Sequence, residues 1–272
     1  MKHDLRDRKI LLIDGELFER KCQFLDELPS GFSPENLTKL AGPIVRNVTG
    51  DPIPDSFTVD GTCVIPIQGI LCAGIPDFYK AYGFVDPFDV SYALDQVMAD
   101  SMVKKILIYG NTPGGSVLGI PELSAQIARI QQEGEKPIGW FSDELSCSAG
   151  FYLACGATQV MGTPSSMWGN VGVYRTFTNI KKSLEIAGYK IEVFKSGEYK
   201  AVGANGDLTD LQRSYYQDQI DEVYADFKKT VQEFRPIEDA DLQGQAFLGK
   251  TAVNKGFIDC TVANLEEAIS LL

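Results

Sequence analysis

The sequence predicts an α/β fold with largely parallel strands, on three observations. Short apolar runs suited to buried strands alternate with helical patterns from about residue 62 to residue 194. Turn residues punctuate the junctions, as in Asn111-Thr112-Pro113-Gly114-Gly115 after the run that ends at Tyr109. Of the 272 residues, 44% are hydrophobic, which is enough to build a large core in one globular domain. Strands that alternate with helices place each helix as a crossover between parallel strands, and so favour this class.

Taken in order, residues 1–57 form an N-terminal arm, helical or irregular. It holds an amphipathic stretch around Leu11 to Leu28, then the turn-rich segments PSGFSPEN and GDPIPDS, of which the second marks a boundary. Residues 58–272 form the main domain. Its first strand is Thr62 to Gln68, and a helix follows Asp86, with Pro87 suited to the first helical position. The next unit is strand Lys104 to Tyr109, the Pro-Gly-Gly turn, and a helix from Leu118 to Gln132. Strand Pro137 to Phe141 leads through a polar turn, Asp143 to Cys147, into a helical segment from Ser148 to Ala157. A strand Gln159 to Met161, a helix Asn179 to Ala187 and a buried strand Lys190 to Phe194 continue the alternation. A long helix, Leu208 to Phe234, then carries Leu211, Tyr215, Ile220, Tyr224, Phe227 and Val231 along one face and stops before Pro236.

Composition removes several functions. The formal net charge is −12, with 37 acidic against 25 basic residues, so no surface suited to tracking phosphates is expected and nucleic acid is not a partner. No apolar run reaches the roughly 20 residues of a membrane-spanning helix, and the start lacks a secretory apolar stretch, so a soluble, cytoplasmic chain without membrane anchor is expected. The six cysteines show no CxxC pair and no disulfide framework. The one histidine is His3, which disfavours a Ser-His-Asp triad and most zinc chemistry; no metal and no cofactor are expected. A hydrolase built from this chain needs a different base.

Ser148, in LSCSAGFYLACGA, stands where a polar turn enters a helix. Amides of a first helical turn have no intrahelical acceptor, so Ala149 could offer its N–H to an oxyanion formed by Ser148 attack. The plainer alternative is an N-cap serine, and Ser146 is a second candidate for either role. The glycines of NTPGGS, Gly114 and Gly115, let backbone amides approach a substrate, although Pro-Gly-Gly is also ordinary punctuation. Lys200, in FKSGEYKAVG, follows a predicted strand, with Lys195 competing. A lysine serves as a base at neutral pH only where apolar surroundings disfavour its charged form, and most lysines are simply solvated.

Pro-Gly-Gly after a strand, Ser148-Ala149-Gly150-Phe151-Tyr152 at a helix start, GNVGVY at 169–174, SGEYK at 196–200 and FLGKTAVNKGFID at 247–259 occur in one order. That order resembles the signal peptide peptidase A family and its phage capsid-protease branch, over about residues 60–270. The resemblance implies a Clp-protease/crotonase-like spiral of β-β-α units in a Ser-Lys peptidase domain, residues 58–272. It puts the nucleophile at Ser148, the base at Lys200 and the oxyanion donors at Gly114, Gly115 and Ala149. Relatives usually carry a serine where this chain has Asn170, whose amide can still orient an amine. The implied function is serine endopeptidase cleavage of a protein substrate, such as a capsid, portal or scaffold protein. A homo-oligomer in a bacterial cytoplasm or prohead would carry it out. Two alternatives are an inactive relative serving as an assembly scaffold and a crotonase-like acyl-CoA enzyme. Cys147 is expected to be structural.

Overall fold

The computed structural model describes residues 11–12, 53, 56–204 and 206–272. Strands in the first half are β1 (Leu11–Leu12), β2 (Phe57–Val59), β3 (Thr62–Gln68), β4 (Ile70–Leu71), β5 (Phe84–Val85), β6 (Lys105–Asn111) and β7 (Gly115–Ser116). Those of the second half are β8 (Ile138–Ser142), β9 (Leu145–Cys147), β10 (Gln159–Gly162), β11 (Met167–Gly169), β12 (Ala246–Leu248) and β13 (Cys260–Thr261). Helices are α1 (Asp77–Lys80), α2 (Pro87–Ala99), α3 (Ile120–Glu133), α4 (Ala149–Ala154), α5 (Lys181–Ile186), α6 (Asp210–Phe234), α7 (Gly249–Asn254) and α8 (Leu265–Leu271).

The frame is a six-stranded sheet in the order β13-β10-β8-β6-β3-β2, parallel throughout except for β2 at one edge. Its inner strands β3, β6, β8 and β10 are buried on both faces, which is why they read as continuous apolar runs rather than as alternation. Cys63, Ile65, Ile67, Ile106, Ile108, Ile138 and Trp140 face the main core, together with α2, α3 and α4. Val64, Leu107, Phe141 and Met161 point the other way, onto Val262 and Ala268 of the C-terminal segment. Each fully buried side chain of this size is worth about 1.5–3 kcal/mol.

A second layer explains the connections. Soon after each long strand the chain makes a short strand that leaves the main sheet, giving the pairs β3/β4, β6/β7, β8/β9 and β10/β11. The strands β4 and β7 join β1 and β5 in a four-stranded sheet, while β9 and β11 join β12 in a three-stranded one. With a helix after each of the first three pairs, the result is the spiral of β-β-α units. The sequence gives little sign of the short strands, because two or three residues carry no periodicity.

Local chemistry sets the helix starts. Asp86 caps α2, its carboxylate accepting from the Phe88 amide at 3.0 Å and from the Gly74 amide at 2.7 Å, with Pro87 in the first turn. Thr209 and Gln212 form a reciprocal capping box at the start of α6. Past its end, Arg235 donates to Asp259 at 2.6 Å, and Asp259 Oδ2 accepts the Val160 amide at 2.7 Å. That pair fastens the C-terminal segment to β10.

One expectation is corrected. Lys190 to Phe194 is no strand and is exposed: it pairs with no strand among the described residues, and from Thr176 to Ala201 every residue is exposed except the half-buried Leu184. An apolar run forms a strand only where a neighbour supplies the ladder, and none is present here. The expected arm, residues 1–57, lies mostly outside the described residues, of which it includes 11, 12, 53, 56 and 57; Leu11–Leu12 form β1 and Phe57 opens β2. Replacing Arg235 with Ala should lower the unfolding free energy by about 1–3 kcal/mol, since it removes a charge-assisted bond from a nearly buried guanidinium. Urea midpoints at neutral pH measure it.

Candidate active site

Strands β6 and β8 are parallel neighbours, so the segments that leave their C-terminal ends begin side by side. They stay together. The Thr112 amide donates to Leu145 O at 2.8 Å and Thr112 O accepts from the Cys147 amide at 3.0 Å, making a parallel bridge between Thr112 and Ser146. This brings the Pro-Gly-Gly turn alongside the stretch that ends at Ser148.

At Ser148 the backbone turns sharply, with φ 53° and ψ −119°, before α4 begins at Ala149. A non-glycine residue held there costs on the order of 1–3 kcal/mol, so the surroundings must fix it. They do so from both sides: the Ser148 amide donates to Gly169 O at 2.7 Å, and Ser148 O accepts from the Tyr152 amide at 2.9 Å. Its side chain, in contrast, is fully buried, and Oγ has no hydrogen-bond partner among the described residues. A buried hydroxyl without a partner is costly, so its presence calls for an explanation. Ser146 Oγ is likewise unpaired, but it sits within regular β9. Cys147 Sγ donates to Met167 O at 3.7 Å.

The glycine turn fits closely. Gly114 has φ 106°; its amide donates to Thr112 Oγ1 at 3.1 Å and its carbonyl accepts from the Leu71 amide at 2.9 Å. A Cβ on Gly115 would lie 1.7 Å from Leu71 O, so no side chain can stand where β7 meets β4. At the start of α4, a Cβ on Gly150 would lie 2.3 Å from Thr112 Cγ2, so the helix packs directly on the turn. Ala149 is fully buried. Ser148, Ala149, Gly114 and Gly115 therefore converge on one region where α4 packs against β7.

Asn170 follows the carbonyl that holds Ser148; its own φ is 53°, and its amide donates to Gln245 O at 2.7 Å. Lys200 is not brought to the serine in the single chain. It lies in the exposed segment, its side chain has no hydrogen bond or ion pair among the described residues, and Ser148 Oγ accepts nothing from it. Lys195 is engaged elsewhere, donating to Glu198 O at 2.8 Å. Within this exposed lobe a cleft of about 670 Å3, lined by Ile180, Leu184, Ile191 and Ala204 among others, contains none of the expected site residues. Among the described residues no cluster of metal-ligating side chains occurs.

Sequence reasoning missed a polar network beneath the turn. Asn111 Nδ2 donates to Asp143 at 2.7 Å, while Asn111 Oδ1 accepts from Ser142 Oγ at 2.7 Å and from the Glu144 amide at 3.2 Å. Tyr109 OH also donates to Asp143, at 2.9 Å. Burial, then the bond to Asp143 and its negative charge, pushes the Tyr109 phenol up to about 12. The available signal was polar residues closing two apolar strands, which by itself also describes any solvated loop.

Comparison with known proteins places residues 130–272 in a match to the model of peptidase family S49. Capsid assembly protease C of Escherichia phage lambda is 27% identical over 218 residues, covering 79% of this chain and 49% of that protein. Head-tail preconnector protein GP5 of Enterobacteria phage P21 is 26% identical over 79% of this chain and 43% of that protein. Protease 4 of Haemophilus influenzae is 22% identical over 76% and 33% respectively. The chain thus spans half or less of the length of these relatives. A solved enoyl-CoA hydratase/isomerase family member aligns with a TM-score of 0.43 at 13% identity, over 85% of this chain and 76% of that one, a likeness too weak to carry fold or chemistry.

Gly150→Ala should destabilise the protein by about 1–3 kcal/mol through overpacking against Thr112, read as a lower thermal midpoint. Tyr109→Phe tests the network. A phenol whose folded pKa lies near 12 instead of its ordinary 10 favours the neutral form, so that contribution is present below pH 10 and lost as pH rises through about 12. Denaturant titrations across that range should show wild type losing stability relative to Tyr109→Phe.

Proposed function

The chain belongs to peptidase family S49, and on that premise we propose that it is a serine endopeptidase with Ser148 as nucleophile and Lys200 as general base. The observation that carries this is Ser148 itself, held at positive φ with a buried, unpaired hydroxyl beside a glycine turn. In the reaction, the neutral amine of Lys200 takes the Ser148 proton as Oγ attacks the scissile carbonyl carbon. The oxyanion is met by the amides of Gly115 and Ala149 in a turn shaped by Gly114, whose own amide is committed to Thr112. As the tetrahedral centre collapses, the C–N bond breaks and Lys200 returns the proton to the leaving amine. Lys200 then deprotonates a water that hydrolyses the acyl-enzyme. Asn170, one residue past the carbonyl that holds Ser148, orients the amine.

Lys200 must leave water to act as a base, and the surface around it supports the means. Phe177, Ile180, Ile186, Tyr189 and Phe194 are exposed in one stretch of chain, and Phe194 is 93% accessible. A patch of this kind marks an interaction surface. A homo-oligomer that covers it would enclose Lys200 next to a Ser148. The phage lambda relative is named a capsid assembly protease, which supports a capsid, portal or scaffold protein as substrate, in a bacterial cytoplasm or prohead. The net charge of −12 speaks against nucleic acid.

The exposed Lys200 favours a second reading, in which the chain keeps the fold as an assembly scaffold and has lost the reaction. A fluorophosphonate probe on the full-length assembled protein separates the two. Labelling in wild type and none in Ser148→Ala is expected, with Lys200→Ala lowering kcat/KM on a co-expressed capsid or scaffold partner by about 10²–10⁴-fold. Absence of both labelling and processing in wild type would favour the scaffold.

A further inference from the structure

The described part of the arm lies at an informative place. The strand β7 has two sides: one pairs with β4 through Leu71 and Gly115, and the other with β1, where Leu12 is opposite Gly115 and Leu11 opposite Ser116, antiparallel. Without β1, β7 would be an open edge directly after the Gly114-Gly115 turn. An extended peptide that adds to a sheet edge is held by its backbone and needs no particular side chains there. A substrate whose carbonyl oxygen enters the Gly115 and Ala149 amides must run its neighbouring residues along this same edge. Leu12 therefore occupies the position opposite a residue assigned to the oxyanion.

An independent observation agrees. Ser148 is fully buried, and Ser116 is only 5% exposed with an unpaired hydroxyl. A nucleophile that attacks protein has to be reached, and in this conformation its hydroxyl is out of reach.

We infer that Leu11–Leu12, paired along β7, is an intramolecular occupant of the substrate edge that keeps the peptidase site closed until it is displaced. The inference rests on the peptidase reading and adds its regulation. The pairing is two residues long, so a longer substrate strand, which makes more ladder bonds, can displace it. Opening then exposes Ser148 and frees the Gly115 edge at one stroke.

The test uses the full-length assembled protein, as in the labelling experiment above, and reads the rate of fluorophosphonate labelling at Ser148. Leu11→Pro with Leu12→Pro removes both amide donors and cannot sustain the ladder. If the open form is a minor state, labelling should be about tenfold faster than in wild type. Leu11→Cys with Ser116→Cys places two thiols at directly opposed positions; oxidised, it should label more slowly than wild type and recover on reduction. This second variant decides the matter if the proline variant fails to fold. Equal rates in wild type and in each variant that folds, with Ser148 labelled in all, would overturn the closed-state inference and leave the nucleophile in place. No labelling in any of them, reduced or oxidised, would overturn the nucleophile assignment and the inference with it.

Discussion

The carbonyl of Gly169 accepts the Ser148 amide at 2.7 Å, and Thr112 bonds to Leu145 and Cys147 on the other side of the same stretch. Those few backbone bonds fix a serine in a conformation that L-residues avoid, and the glycine turn is registered against it by the same ladder. Thr112 lies just past the end of β6, and its parallel bridge to Ser146 in β9 takes its hydrogen bonds from protein, where a loop residue would normally use water. Both segments leave the adjacent parallel strands β6 and β8, so the main sheet supplies rigidity to a site that lies outside it.

The polar groups beneath the turn act in the same sense. Asn111 uses its amide fully, giving to Asp143 and receiving from Ser142 and Glu144, while Tyr109 holds the other carboxylate oxygen. A satisfied network of this kind restricts the β8–β9 turn to one geometry, whereas an apolar filling of equal volume would allow several.

The exposed lobe from Thr176 to Ala201 stands apart from this rigid part. It carries the base of the proposed dyad, a short helix with no buried residue, and apolar side chains facing solvent. A chain with a net charge of −12 gains solubility from its acidic surface, while this apolar stretch is exposed among the described residues. The candidate nucleophile is thus held by the rigid part of the fold, whereas the proposed base lies on a segment that is exposed among the described residues.

The alternation of strand and helix from Thr62 onward, the helix start at Pro87 and the serine at the mouth of a helix are all local features, so the sequence by itself determined them. The run Lys190 to Phe194 was misjudged for the same reason: its apolar pattern suits a strand, but a strand needs a neighbour, and sequence pattern carries no information about one. Short strands such as β4, β7, β9 and β11 were invisible because they exist only through pairing. Whether Ser148 was a cap or something more depended on its φ, on the absence of a partner for its hydroxyl and on the turn beside it, which chain segments more than thirty residues apart decide together. Tertiary structure alone could bring Thr112 to Ser146 and Leu12 to Gly115, since long-range register is set by the sheet and not by any residue's own preference.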